Sequence, residues 1–489
     1  MSKGLELPLA GAPVQEITAG RPVSHVALVG DDYIGLRPSM AVKEGQRVAA
    51  GQELFSDKKN PGVKFTAPVA GEVVAINRGA RRRFESLVIR VDGDDAVNFP
   101  VAEAGGGVAT IGATPGEAAA GAGFDPGKIQ QILLDSGLWT ALRTRPYGKV
   151  ASPAGHPASL FVTAIDSRPL AADPALIINQ APADFTLGLR VLQALVNKIF
   201  LCAQEGEQLP GERLTGLIPA RFAGPHPAGL PSTHIHLLDP VGPGKEVWQL
   251  GYQDVLAIGY LFRHGQLSGQ RVVALAGPAV NKPRLVRTLP GADLVELTAG
   301  ELTGQPAGAE PATGGAGGRE DGLAGSSTPG PEVANRLLSG SVLDGRRAAG
   351  PTRYLGRYHD QVSALADQPG SGLFSWLGPG GDRFSAIPAF LSALTGFKGG
   401  DGRLAMTTAL WGGKRAVYPL GTYERVMPLD IVATALLKSI AAGNTEKCVE
   451  LGALELIEED LALCSYVCPG KNDFGPMLRR VLSKIEEEG

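Results

Sequence analysis

The chain has 489 residues, 44% of them hydrophobic and 19% charged, an ordinary globular composition too long for one core. A formal net charge of −3 gives no basic footprint, so nucleic acid is not an expected partner. No apolar run approaches the ~18 residues of a membrane span, and the start "MSKGLELPLAGAPVQE" lacks a signal-peptide core. A cytoplasmic chain of three or four domains is therefore expected, one that cannot itself conduct ions across a membrane. Its cysteines, Cys202, Cys448, Cys464 and Cys468, are too few and scattered for a disulfide framework.

In chain order, residues 1–40 are expected to pack as an N-terminal segment on an α/β domain. Residues 41–98 then show short strands around Val42, Val48 and Leu54, punctuated by Gly45 and Gly51 and continued by "FTAPVAGEVVAI". This rhythm suggests a small flattened barrel and resembles the barrel-sandwich fold of biotinyl and lipoyl carrier domains. "SDKKNPG" puts Lys58 and Lys59 near the hairpin tip that carries the modified lysine in such domains. The hairpin is about two residues longer here and Pro61 follows, so a solvated turn with no modified lysine is expected. Residues 99–124 read as a Gly/Ala-rich linker.

Residues 125–257 alternate in period and read as a Rossmann-like α/β domain. Asp125 and Pro126 open a helix with Ile129, Ile132, Leu133 and Leu138 on one face. "SLFVTAID" and "ALIINQAP" read as buried strands, and "FTLGLRVLQALVNKIF" as a helix bounded by Asp184. Ligands of such sheets sit at strand carboxyl ends, which points to Ile178–Ala183. In "GPHPAGLPSTHIHLLDPVG", a strand over 234–238 would put His234 and His236 on one face, with His226 upstream. Three readings stand: packing or a polar interface, a quinone or substrate contact, and a zinc triad.

Residues 258–350 hold strands at Val272–Ala276 and Leu285–Thr288 and a helix over Ala292–Thr298 begun at Gly291. This resembles a soluble-ligand-binding β-grasp domain, interrupted by a flexible loop at 303–332 and resumed as a strand in "NRLLSGSVLDG". A mixed region, 351–424, connects to a C-terminal helical domain, 425–489, where Pro428 opens a helix that Gly443 or Asn444 closes. "CSYVCPG" carries the last two positions and the proline of the ferredoxin cluster motif C-x2-C-x2-C-x3-C-P. Its first two positions fall on Glu458 and Leu461, which offer no thiolate, so Cys464 and Cys468 read as vestigial ligands packed in a helical core.

The stretches "DKKNPGVKFTAPVAGEVVAINRGA", "DSGLWTALRTRP", "AGPAVNKPRLVRT", "PLGTYERVMPLDI" and "LGALELIEEDLALCSYVCPGK" carry one resemblance in order along nearly the whole chain. They resemble the A subunit of the sodium-pumping NADH:quinone oxidoreductases, and more distantly the flavin-binding subunit of respiratory complex I. The resemblance implies a chain peripheral to the cytoplasmic face of the bacterial inner membrane, in a six-subunit complex. It implies docking on the membrane-embedded, quinone-reducing B subunit, with flavins and iron–sulfur centres in other subunits, ubiquinone as a ligand and no cofactor of this chain's own. No P-loop or G-x-G-x-x-G occurs, and "ALIINQAPADF" lacks the glycine cradle that flavin phosphate needs. For quinone, His226, His234 and Arg284 are the candidate donors. The alternatives are a purely structural, cofactor-free role in assembly, and a lipoyl- or biotin-type carrier.

Overall fold

Gly45 and Gly51 take left-handed backbone (φ 80° and 84°), which a side chain would resist, and so turn short strands back on themselves. The resulting β module pairs β2 (His25–Val29), β4 (Arg47–Val48), β7 (Gly71–Arg78) and β8 (Phe84–Val91) in the order β2-β8-β7-β4. It packs them against β3 (Pro38–Met40), β5 (Glu53–Asp57) and β6 (Lys64–Thr66), with Leu54, Phe55, Phe65, Leu87 and Ile89 buried between. Phe55 stacks on Phe65 at 4.7 Å and meets Phe84 edge-on at 5.1 Å. The structure is a computed structural model that describes residues 1–105, 123–303, 334–367, 402–410 and 413–488. Most of the expected linker 99–124, the loop 303–332 beyond its first residue, and much of the connecting region 351–424 lie outside the described residues.

Residues 1–40 contribute to several places. Met1 donates to Ala223 O, and Leu5 N to His226 O, both in the α/β part. The strand β1 (Val14–Ala19) runs parallel to a strand some 270 residues later, with Val14 opposite Arg284.

The α/β part opens with α1 (Pro126–Asp135), where Asp125 Oδ1 caps the amides of Gly127 and Lys128 at 2.9 and 3.3 Å. Ile129, Ile132 and Leu133 are buried, each contributing about 1.5–3 kcal/mol. Leu138 does not continue that face: Gly137 (φ 76°) ends the helix and Leu138 starts a separate 3-10 turn. Then come β9 (Arg143–Arg145), β10 (Leu160–Ala164), α2 (Pro174–Ile178), α3 (Pro182–Leu195), β11 (Ile199–Gln204) and β12 (Leu217–Phe222). They are followed by α4 (Pro231–Leu238), β13 (Val247–Gly251) and α5 (Tyr252–His264).

Three sequence expectations change here. "ALIINQAP" is helical over Pro174–Ile178, because Asp173 caps Ala175 N at 2.9 Å and Pro174 suits the first turn. A short apolar run alone fits a helix or a strand, and the cap decides between them. The long helix stops at Leu195, and the β-branched and aromatic residues after it form β11. Residues 231–238 are a helix led by Pro231, so His234 and His236 point to different sides.

The sheet order is β12-β11-β10-β13-β9, parallel except for edge strand β9. On one face, α3 and α5 cross at glycines: a Cβ on Gly188 would lie 2.1 Å from Val255 O, and one on Gly259 1.8 Å from Asp184 O. On the other face α4 covers Phe161, Phe200 and Phe222.

Counting the two layers of the β module as one, a third sheet adds β14 (Arg271–Ala276), β15 (Arg284–Thr288), β16 (Asn335–Ser339), β17 (Arg346–Arg347) and β18 (Gln361–Ala366) in the order β1-β15-β14-β18-β16-β17. The helix expected at Ala292–Thr298 is the single turn α6 (Leu294–Leu297), which starts late because Asp293 caps it. A separate core joins the C-terminal helices α7 (Thr422–Val426), α8 (Ala433–Ala442), α9 (Thr445–Glu450), α10 (Ala462–Val467) and α11 (Phe474–Glu488). Pro428 does not open α8, which begins five residues later and ends at Gly443 with φ 69°.

Candidate functional site

Between β10 and β13 the chain reverses its progress through the sheet. It moves outward from β10 to β11 and β12, then returns to place β13 on the other side of β10. Loops leaving two such strands diverge to opposite faces and leave a crevice at their carboxyl ends. Here that crevice is a cavity of about 1150 Å³, entered by Asp166, Arg168 and Tyr252 from the sheet. Residues 30–37, 340–346, 358–361 and 457–462 close it from the β module, the third sheet and the C-terminal helices. The carboxyl ends thus lie at Ile165–Arg168 and Gly251–Asp254, and not at the sequence-expected Ile178–Ala183.

Most inner cations of this cleft are ion-paired, whereas Arg143 lies over the Tyr358 ring at 4.5 Å with no carboxylate partner among the described residues. Arg168 binds Asp344 through Nε at 2.9 Å, Asp166 through Nη1 at 3.4 Å, and Glu459 through Nη2. Arg271 bridges Asp360 (2.8 Å) and Asp254 (3.5 Å), and Arg357 also holds Asp254 at 2.7 Å. Arg346 pairs with Asp32 at 2.5 Å, and Arg479 with Glu458. Burial alone would push Asp254 up, but Arg357 and Arg271 outweigh it and hold the carboxyl below its usual range. At Asp166 burial wins over Arg168, and its pKa rises to about 6. An incoming phosphate would find Arg143 open but would have to displace a carboxylate from each of the paired arginines. The lining therefore suits a neutral ligand with hydrogen-bonding edges.

Of the sequence-derived quinone candidates, His226, His234 and Arg284, none lines this cavity. His226 is 4% exposed; its Nδ1 shares a 3.1 Å hydrogen bond with Ser167 Oγ, which supports the Asp166–Arg168 wall from behind. His234 Nε2 donates to Ala228 O at 3.0 Å, and its ring lies 4.1 Å from that of Phe222. His236 turns away to Glu455 at 2.7 Å. Arg284 sits on β15, paired with Glu301 at 2.8 and 3.0 Å. The two candidate histidines lie close together, while Arg284 belongs to another sheet.

Cys464 and Cys468 are buried among Tyr423, Leu461 and Phe474, and the Tyr423 hydroxyl donates to Cys468 Sγ at 3.1 Å. Glu458, at the motif's first position, is taken by Arg479. Among the described residues no group of three or more His, Cys, Asp or Glu could hold a metal ion. Lys58 and Lys59 are exposed between β5 and β6, and Lys59 reaches the cavity mouth. The intact mass of the purified chain should equal that of the bare sequence; an added lipoyl or biotinyl mass on either lysine would overturn this.

Sequence reasoning missed Asp166, Arg168, Asp344, Glu459, Gln249 and Gln361. The available signal was "AIDSRP", an acid and a base directly after an apolar strand.

Burial pushes His226, His234 and His359 down to about 4. Their unfolded value is higher, near 6.5, so the unfolded chain takes up protons first. Their contribution is full above about pH 6.5 and is lost as pH falls toward 4, roughly 3 kcal/mol per group at the limit. Asp166 and Asp460, both raised by burial, act in the opposite direction. Urea midpoints measured at pH 7 and pH 5 should therefore fall less in His234→Gln than in the unchanged chain. An identical drop in both would show that this histidine does not set the slope.

Fold and cleft together define a multidomain α/β protein, with a small β module ahead of a parallel sheet and a cleft at the switch point of that sheet. Among the described residues no helix is long and apolar enough to cross a membrane. Three family models match: the NqrA N-terminal barrel-sandwich hybrid domain over residues 1–92, the NqrA second alpha/beta domain over 124–267, and the NQRA C-terminal domain over 272–307. The curated A subunits of Na(+)-translocating NADH-quinone reductases are 51% identical in Pseudomonas aeruginosa, 48% in Actinobacillus pleuropneumoniae and 46% in Neisseria gonorrhoeae. Each alignment covers 100% of this chain and 99% of the relative. The chain belongs to this family, the NqrA subunits of the Na+-translocating NADH-quinone reductases. Among solved structures, an NAD+-reducing NiFe hydrogenase matches at 14% identity and a TM-score of 0.34, over 56% of this chain and 52% of that one. A likeness of that size carries no functional weight.

Proposed function

We propose that this chain is the peripheral component that caps the membrane-embedded B subunit in a six-subunit complex, on the cytoplasmic face of the bacterial inner membrane. In this reading the complex couples NADH oxidation and ubiquinone reduction to Na+ export, and flavins and iron–sulfur centres sit in the other subunits. The chain is held at the membrane by its partners, and its own part is to bind quinone. The α/β part is read as Rossmann-like and the third sheet as β-grasp, the latter offering Ser341, Asp344 and Gln361 to the cleft.

One observation carries the quinone reading: the large cleft at the strand carboxyl ends has most of its inner cations, Arg168, Arg271, Arg346 and Arg479, neutralised by carboxylates. Such a lining disfavours nucleotide phosphates and accommodates an uncharged ring with polar edges. His226, His234 and Arg284 serve this reading only indirectly, with His226 bracing the cleft wall through Ser167. Titrating the purified chain with a short-chain ubiquinone tests it. Saturable binding that weakens at least tenfold in Arg143→Ala, whose Nε–H on the cavity lining has no partner among the described residues, supports the reading. No binding at high quinone concentration, with retained co-purification of the B subunit, leaves the cofactor-free assembly role. That second reading is favoured by Arg168, which ties three parts of the chain together. The purified chain should be colourless between 350 and 500 nm (approximate range), and a flavin or cluster band there would overturn the assignment of those centres to other subunits.

A further inference from the structure

We infer that the inner end of the cleft selects the redox form of its ligand, taking the hydroxyl-bearing quinol in preference to the oxidised quinone. This rests on the quinone reading above and goes beyond it by assigning which form is held. The observation is a set of buried oxygens that have no protein partner among the described residues: the amide oxygens Gln249 Oε1 and Gln361 Oε1, which can only accept, and the hydroxyl Thr163 Oγ1, which can accept or donate. All three residues line the cavity, and Gln249 and Gln361 are only 3% and 4% exposed.

Their geometry sets what they can accept. Thr163 and Gln249 are diagonal neighbours on one face of adjacent parallel strands, since Phe161 lies opposite Gln249 and Thr163 opposite Gly251. Gln361 comes from β18 in the other sheet, and its Nε2 donates to Pro169 O at 2.9 Å. That bond fixes the amide, because the flipped form would set oxygen against oxygen. Asp166 follows Thr163 by three residues and has a raised pKa, so it adds a carboxyl at the same strand end.

A quinone carbonyl has lone pairs and no hydrogen to give. Facing these oxygens it can take the hydrogen of the Thr163 hydroxyl but leaves the two buried amide oxygens unpaired. A quinol hydroxyl donates to such an acceptor. Its oxygen can also accept from the unpartnered Nε–H groups of Arg271 and Arg346 on the same lining. The quinol therefore satisfies both classes of buried group, and the quinone satisfies only the donors. Sites built to hydrogen-bond a hydroxyl discriminate strongly against the analogue that lacks it.

Anaerobic calorimetric titration of the full chain with ubiquinone-1 and with its borohydride-reduced quinol decides the matter. The quinol should bind at least about tenfold tighter, and Gln361→Leu should bring the two within about twofold by weakening the quinol alone. Because Gln361 also anchors Pro169, Gln249→Leu, which removes the other unpartnered amide oxygen, provides a second variant, read in the same way if the first unfolds. Equal or tighter binding of the quinone overturns this inference and leaves the quinone reading intact. Failure of both forms to bind overturns both. A quinol preference unchanged by either variant overturns the assignment to these acceptors.

Discussion

Arg168→Ala should lower the stability of the whole chain by about 3–5 kcal/mol, the usual cost of removing one partner from a buried charge cluster. Three carboxylates, Asp166, Asp344 and Glu459, meet this guanidinium, and they come from three separate stretches of the chain. Its side chain is about one-quarter exposed at 24%, while Asp166, Asp344 and Glu459 are 14%, 16% and 15% exposed. Alanine would leave three acids close together with nothing between them. Like charges at that distance cannot all stay ionised, so their pKa values should rise and the cluster should take up protons. The loss should accordingly be largest at neutral pH and shrink as pH falls toward 5, where the orphaned acids neutralise. Arg168→Lys should recover only part of it, since an ammonium lacks the fork that reaches three directions. Denaturant unfolding at pH 7.5 and pH 5 reads this out. A loss below about 1 kcal/mol at pH 7.5 would mean that the cluster is screened like a surface pair.

Gly259→Ala should cost about 3 kcal/mol, although alanine is the better helix former by about 1 kcal/mol. At the crossing of α3 and α5 the added methyl carbon would stand 1.8 Å from Asp184 O and 2.6 Å from its carbonyl carbon. Those are backbone atoms of a helix and cannot swing aside as a side chain can. The helices must separate, and the facing contact of Gly188 with Val255 O, where a Cβ would sit at 2.1 Å, shows how little slack exists. Separation also stretches the 3.1 Å pair between Arg263 and Asp184. Gly242 provides the control: nothing lies within 4 Å of its added Cβ, so Gly242→Ala should be neutral or slightly stabilising through the unfolded chain. Thermal unfolding of the two variants side by side checks the pair. Equal midpoints would sink the close-crossing explanation.

The elements legible in the sequence were those with strong local punctuation. Asp125-Pro126 announced α1, Gly45 and Gly51 announced the turns of the β module, and Gly443 announced the end of α8. Short apolar runs misled, because "ALII" and "HIHLL" have no period long enough to separate helix from strand. Proline carried the missing information in both cases, at Pro174 and Pro231, each at the first turn of a helix. The cleft was less legible. Its walls join residues near 32, 166, 254, 344, 360 and 459, and no spacing along the chain marks such a meeting. The conspicuous His226, His234, Cys464 and Cys468 are instead buried inside the protein, away from the cleft lining.

The parallel pairing of β1 with β15 also has a consequence for how the chain is made. Val14 must wait for Arg284 before it has a neighbour, and at the ~5–20 residues per second of translation that wait lasts roughly 15 to 55 seconds. Through that interval an early strand travels with its backbone unpaired, the condition in which chains find wrong partners. Its residues, VQEITA, are mostly exposed even in the finished protein and include the charged Glu16. A strand of that composition is soluble enough to wait. One edge of the sheet is thus sealed by the first strand synthesised.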